Sequence, residues 1–260
     1  MISIIRPRRD KAEKAPGGAS FGAVSGAMQG IDLAQTARAL AFVLIPMILS
    51  LSVHECAHAG SAYLLGDHTG KDAGRLTLNP QVHIDPWGTL FIPAISVLMG
   101  GVPFLGWARP TPFKAQNFRQ GVNRRLGTAL VAAAGPLSNV ALSLISLSIL
   151  ALLGRAGVTL YTMVQDGDAM VPRPSSVYVF LFTMYELNLG LAFFNLLPIP
   201  PLDGYRLLPA ALDRYVRPLE RYGFALIMLA VLVLPHGVLG VIFRPLYFVM
   251  DRVQALFGFA

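Results

Sequence analysis

His54-Glu55-Cys56-Ala57-His58 is the stretch of this 260-residue chain whose residue types and spacing can do chemistry. On a helix, positions i and i+4 share one face, with Cβ atoms ~6 Å apart. Two imidazoles placed this way can both reach one tetrahedral zinc ion at ~2.0–2.1 Å. Glu55, next to the first of them, then lies beside water at the metal and can take its proton. A five-residue pattern arises by chance, but this one lies inside an apolar run. Ionisable groups at membrane depth cost about 2.5–3.5 kcal/mol each on insertion scales, so unpaired ones are rare. His54, Glu55 and His58 together require a shared partner, and a metal is the simplest.

Two histidines leave a catalytic zinc site one protein ligand short of the usual three. Few other ionisable groups lie in or beside apolar segments. Glu186, in the middle of one, has no motif around it and stays unassigned. Asp203 is better placed, in Asn195-Leu196-Leu197-Pro198-Ile199-Pro200-Pro201-Leu202-Asp203-Gly204. The prolines end a helix and open the chain, which a membrane tolerates only where protein or a cavity covers the break. Asp203 reads either as the third ligand or as the N-cap of a following helix.

The elements that must position these residues are membrane helices. The chain is 54% hydrophobic and 13% charged, with a mean hydropathy of +0.57, whereas soluble domains carry about 25% charged residues. The expected class is an all-α polytopic membrane protein, a helical bundle of about four to six spans. Apolar segments run from about 33 to 65, 126 to 153, 177 to 197 and 222 to 250. The last carries Pro235-His236-Gly237 and reads as one kinked helix or two short ones. Residues 87–100 are apolar but short, and Pro93, Gly100 and Gly101 interrupt them, the mark of a re-entrant segment. A short β element is expected in the loop after the first span, where Gly74-Arg75-Leu76-Thr77-Leu78-Asn79-Pro80 alternates like a strand ended by proline. Residues 1–32 read as a flexible basic arm without a cleaved signal peptide, and 33–260 as one membrane-embedded domain. The net charge of +7 comes from residues between apolar runs, which excludes nucleic acid as the natural partner. A single cysteine, Cys56, excludes an internal disulfide.

The 54–58 motif paired with the 195–204 segment resembles the site-2 protease family of intramembrane zinc metalloproteases. Gly74–Pro80, His83-Ile84-Asp85-Pro86 and Ala134-Gly135-Pro136-Leu137-Ser138-Asn139 match in the family's order, so the likeness covers about residues 45–210. It is closest to the minimal branch without a PDZ insertion. The resemblance implies zinc ligands at His54, His58 and Asp203, a general base at Glu55, and Gly135, Asn139 and Asn195 lining the substrate site. The asparagines would bond substrate backbone or oxyanion, or bond between helices. His83 would approach the metal or cap a turn. The implied substrate is a transmembrane protein, cut within the lipid bilayer. Rival readings are a metal transporter, without the repeats and acidic path such proteins show, and an inactive metal-binding protein, which would not need Glu55. No pattern specifies an oligomeric state.

A shared metal also dictates topology. His54 lies near the C-terminal end of its span and Asp203 just beyond the end of another, so those spans must run parallel. The span 126–153 precedes 177–197 and opposes it. Residues 87–100 must then dip in and return. The basic loops 101–125 and 203–221 should face the cytoplasm, placing the site nearer that side of the cell membrane.

Overall fold

The computed structural model describes residues 33–98, 106–166, 169–223 and 236–257. The basic arm, and residues 224–235 on which the choice between one kinked and two short helices depends, lie outside the described residues. Helix α1 (Leu33–Leu64) is followed by a single turn, α2 (Thr69–Asp72), and by α3 (Ile92–Leu98). Then come α4 (Arg124–Arg155), strands β1 (Tyr161–Asp166) and β2 (Ala169–Pro174), α5 (Ser176–Asn195), the short α6 (Asp213–Val216) and α7 (His236–Leu256).

Among the described residues, three helices are long and apolar enough to cross a membrane: α1, α4 and α5. Local chemistry sets their ends. Asn123 Oδ1 accepts from the amides of Arg125 (3.0 Å) and Leu126 (3.1 Å) to start α4, and Ser175 Oγ accepts from Tyr178 N (3.2 Å) to start α5. The long helices wear their apolar side chains outward. Ile45, Leu49, Leu130, Leu137 and Ile145 are exposed, while Ser50, Asn139, Ser143 and Asn188 are buried. That arrangement suits lipid, where small and polar residues make the helix contacts.

Helix α4 packs against both α1 and α5. Asn139 contacts His54 while Val131 contacts His58, so α1 and α4 run antiparallel. Asn139 bonds Asn188 and Ser143 bonds the Tyr185 carbonyl, so α4 and α5 are antiparallel too. Helices α1 and α5 are therefore parallel, as a shared metal requires. A second core joins α4, α5 and α7 through Leu147, Leu150, Tyr185, Leu246 and Met250, closed by Tyr185 Oη donating to the Met250 carbonyl (3.0 Å).

The re-entrant segment starts where Asp85 Oδ1 accepts from Trp87 N (3.1 Å) and Gly88 N (2.8 Å), opening a π-helical turn, Pro86–Phe91, that runs into α3. The chain comes back to its point of entry: Trp107 N bonds Gly88 O (3.2 Å) and Arg109 N bonds His83 O (2.8 Å). Thr89 Oγ1 adds a bond to Trp107 O (2.8 Å). Departure and return at one level mean no net crossing between α1 and α4.

The β element differs in position from the residues that looked most strand-like. Residues 74–79 form no ladder; a 3₁₀ turn, Pro80–Val82, follows them, and the Arg75 guanidinium bonds the carbonyls of Val82 and Arg109. His83, fully buried, bonds Thr77 O through Nε2 (2.9 Å) and secures this turn. The observed sheet is the β1–β2 hairpin of the later 154–175 loop, paired from Tyr161↔Pro174 to Asp166↔Ala169.

Beyond α1, Asp67 ties the loops together. It is fully buried and accepts from Thr69 N (3.1 Å), Thr69 Oγ1 (2.6 Å), Lys114 N (2.6 Å) and Asn117 Nδ2 (2.9 Å). Burial alone would raise its pKa, but these donors favour the anion and hold it below the ordinary value. A depressed folded-state pKa contributes stability above the unfolded value of ~3.9, lost as pH falls through the folded value. Asp67→Ala is expected to destabilise the protein by about 2–4 kcal/mol, because buried donors lose their acceptor. A thermal melt in detergent checks this, and the wild-type Tm is expected to drop below about pH 4.

Candidate metal centre

Helix α1 places His54 and His58 one turn apart, with 3.0 Å between their Nε2 atoms. The third group arrives from 145 residues further on. Helix α5 stops at Asn195, and Pro198, Pro200 and Pro201 prevent it from continuing. The chain then doubles back on itself. A Cβ on Gly204 would collide with the carbonyls of Leu196 and Leu197, so only glycine permits this approach. The fold-back opens a 3₁₀ turn, Asp203–Leu207, and carries Asp203 Oδ2 to 3.2 Å from both Nε2 atoms. Leu202, not Asp203, is the cap of that turn, and no side chain caps it. The N-cap reading of Asp203 therefore does not describe this geometry.

Hydrogen bonds on the far side of each ring define what the near side presents. His54 Nδ1 lies 2.6 Å from Asn139 Oδ1, and His58 Nδ1 lies 2.6 Å from the Val131 carbonyl. Both oxygens only accept, so each Nδ1 carries the proton and each neutral Nε2 offers a lone pair. Asp203 Oδ2 is buried and has no hydrogen-bond donor. Three acceptors thus face one point across 3.0–3.2 Å. Ligand atoms ~2.0–2.1 Å from a tetrahedral zinc ion stand about 3.3 Å apart, so spacing and donor set both fit zinc.

The His54 ring is held through three helices. Asn139 Nδ2 donates to Asn188 Oδ1 (2.7 Å), Asn188 Nδ2 to Ser50 Oγ (2.8 Å), and Ser50 Oγ to the Pro46 carbonyl (2.7 Å). Every donor in this chain points the same way, which keeps the His54 lone pair toward Asp203. The Asn139 amide is fully buried and bonds at both ends, which holds His54. Gly135 brings the α4 backbone against both imidazoles; a Cβ there would strike His58 Nε2 and lie 2.6 Å from His54 Nε2.

Glu55 is buried, and its Oε2 accepts from Thr111 N (2.7 Å) while Thr111 Oγ1 donates to its carbonyl (3.1 Å). The loop returning from the re-entrant segment thereby orients the carboxylate. Glu55, His54, His58 and Asp203 line one cleft of about 500 Å³, with Trp107, Phe113 and Phe194 among its walls. Asn195 also lines it, its Nδ2 donating to Leu191 O (3.0 Å). His83, bonded to Thr77, and Glu186, exposed on α5, are not among the converging ligands. Sequence reasoning overlooked Asn188, Thr111 and Arg206. Asn188 carried a readable signal, an amide mid-span seven residues before Asn195. Thr111 carried none, since its part is played by a backbone amide.

Residues 42–235 match the model of peptidase family M50. The chain is 39% identical over 200 residues to the candidate zinc metalloprotease YwhC of Bacillus subtilis, covering 75% of this chain and 82% of that protein. It is 30% identical over 215 residues to a second candidate zinc metalloprotease, Rip2 of Mycobacterium tuberculosis, covering 80% and 73%. Rip2 of Mycolicibacterium smegmatis is 30% identical over 223 residues, covering 82% and 76%. No solved structure matches significantly. With three quarters of its length matched, and with His54, His58 and Asp203 all inside the matched range, the chain belongs to peptidase family M50.

Proposed function

We propose that this membrane protein is a zinc-dependent intramembrane peptidase that hydrolyses peptide bonds in transmembrane segments of other proteins. In this reading His54, His58 and Asp203 hold the metal and Glu55 is the general base. The observation that carries it is the convergence of three proton-free acceptors beside a buried carboxylate, in a cleft inside a bundle of membrane helices. A transport path would need further ligand groups along the bundle, and among the described residues only this His/Asp cluster is found.

Zinc held there supplies Lewis acidity, which makes water a competent nucleophile near neutral pH and polarises a carbonyl. The protein's own work is to place the proton. Glu55 takes it from the attacking water and returns it to the departing amine. The Thr111 amide keeps one carboxylate oxygen in place, and the aromatic walls strengthen each polar contact by excluding bulk water. Asn195, at the cleft wall, offers its side-chain oxygen to a substrate backbone. A transmembrane helix has its amides already bonded, so it must unwind locally to expose a scissile bond.

The site lies at the end of α1 and α5, level with the loops 106–123 and 203–222. Those loops hold Arg109, Lys114, Arg119, Arg206, Arg214, Arg217 and Arg221, and their charge favours a cytoplasmic location in the cell membrane.

Purified Glu55→Gln protein is expected to retain one zinc per chain and lose about 10²–10⁴-fold in the rate of cleavage of a transmembrane peptide. Asp203→Ala is expected to lose both metal and cleavage. Zinc quantification alongside the cleavage assay checks the pair, and full activity in Glu55→Gln would refute the base assignment. Asn188→Ala is expected to lower zinc affinity about 10–100-fold through loss of His54 orientation, with helical content retained. Chelator competition and circular dichroism on the same sample measure the two effects.

A further inference from the structure

Two smaller cavities share walls with the metal cleft. Thr111, Phe113 and Arg206 line both the cleft and a neighbouring space of about 410 Å³. Ala115, Thr128 and Arg206 join that space to a third of about 310 Å³ at the start of α4. Arg206 therefore borders all three, which lie side by side from the cleft wall at Asp203 to the first turn of α4.

This row of cavities is cationic. Lys114, Arg124, Arg125 and Arg206 line it, against Asp213 and Glu220. Arg125 bonds Asp213 (3.1 Å) and the Leu208 carbonyl, which neutralises that pair and pins the 208–213 loop to α4. Glu220 hydrogen-bonds Tyr205. Lys114, Arg124 and Arg206 make no ion pair among the described residues. The Arg206 guanidinium lies over the rings of Phe113 (5.3 Å) and Tyr205 (5.0 Å). Aromatic faces fix the plane of an arginine while its N–H groups stay free for a carboxylate.

A polypeptide with its scissile bond beside Glu55 has to leave the cleft, and these cavities adjoin it across Thr111, Phe113 and Arg206. We propose that Lys114, Arg124 and Arg206 form a subsite for acidic side chains of the substrate, in the segment flanking the scissile bond on the basic-loop side. The proposal rests on the peptidase reading and names the substrate class that reading leaves open. A lipid headgroup would also answer to positive charge, but it gives no reason for these cavities to share walls with the metal cleft.

The test uses full-length, zinc-loaded protein in phosphatidylcholine nanodiscs and one transmembrane peptide with three Glu, three Gln or three Lys at a single flank. Wild type is expected to show a kcat/KM about tenfold higher for the Glu peptide than for the Gln peptide, and lower still for the Lys peptide. Salt at 1 M and transfer of the glutamates to the opposite flank should each abolish the preference. In Lys114→Gln/Arg124→Gln/Arg206→Gln the Glu-to-Gln ratio is expected to fall to about one. Should that variant not fold, Arg124→Gln alone must lower the ratio at least twofold with an unchanged Tm. Equal cleavage of all three peptides by wild type, or a preference surviving in the folded triple variant, overturns the subsite. A preference that arises only with anionic lipid also overturns it and assigns the basic face to the membrane surface. If wild type cleaves none of the peptides, the peptidase reading fails. Fluorescence anisotropy with Glu55→Gln protein then decides the subsite separately: tighter binding of the Glu peptide sustains it, and equal binding of all three overturns it.

Discussion

Three lone pairs directed at one point across 3.0–3.2 Å, inside a bundle of membrane helices, repel one another unless a cation sits between them. The rest of the structure answers to that requirement. The groups come from α1 and from the chain just past α5, so both helices must reach the same level from the same direction. Helix α4 lies between them in the opposite sense. The chain after α1 must accordingly return to the side it left, and the Gly88–Trp107 and His83–Arg109 bonds record that return. Without it, the His pair and Asp203 would be separated by about the thickness of the bilayer.

Holding the lone pairs in place takes more residues than supplying them. In a bundle surrounded by lipid, helices gain little from apolar contact with one another, so close backbone approach and buried hydrogen bonds do the joining. Gly135 provides the approach, with α4 lying against both imidazoles. The chain from His54 through Asn139 and Asn188 to Ser50 provides the bonds and fixes the tautomer as well. One set of contacts therefore joins α1, α4 and α5 and orients a ligand, which couples the stability of the bundle to the geometry of the site.

The loops at this end build the cleft. Asp67 gathers the 113–117 strip against the end of α1, the same strip continues back to Thr111 on Glu55, and Arg206 projects from the turn that Asp203 opens. The carboxylate that faces the two imidazoles and the guanidinium that borders the neighbouring cavities thus lie on one short turn. Any displacement of that turn moves both.

Much of this was present in the order of residues. A His-Glu-x-x-His pattern in an apolar run is legible because charge in lipid is costly, whatever the fold around it. Prolines that end a helix before Asp203, and the short length of 87–100, are equally local signals. The common depth of His54 and Asp203 then implied parallel spans, since few connections satisfy it. Other features were decided only by tertiary structure. The alternation in residues 74–79 is as strand-like as that in 161–174, but a strand exists only where a partner offers backbone donors and acceptors, and here that partner is β2. Asn139 reads as a residue for substrate or for a bond between helices, and its bonds to His54 and Asn188 exist because three-helix packing brings those groups within reach. Thr111 acts through a backbone N–H that every residue but proline possesses, so its identity carries no signal. The metal-binding groups were written into the sequence by the energetic cost of placing them in a membrane. Their orientation, and the cationic cavities beside them, come from contacts between segments far apart in the chain, which no local pattern encodes.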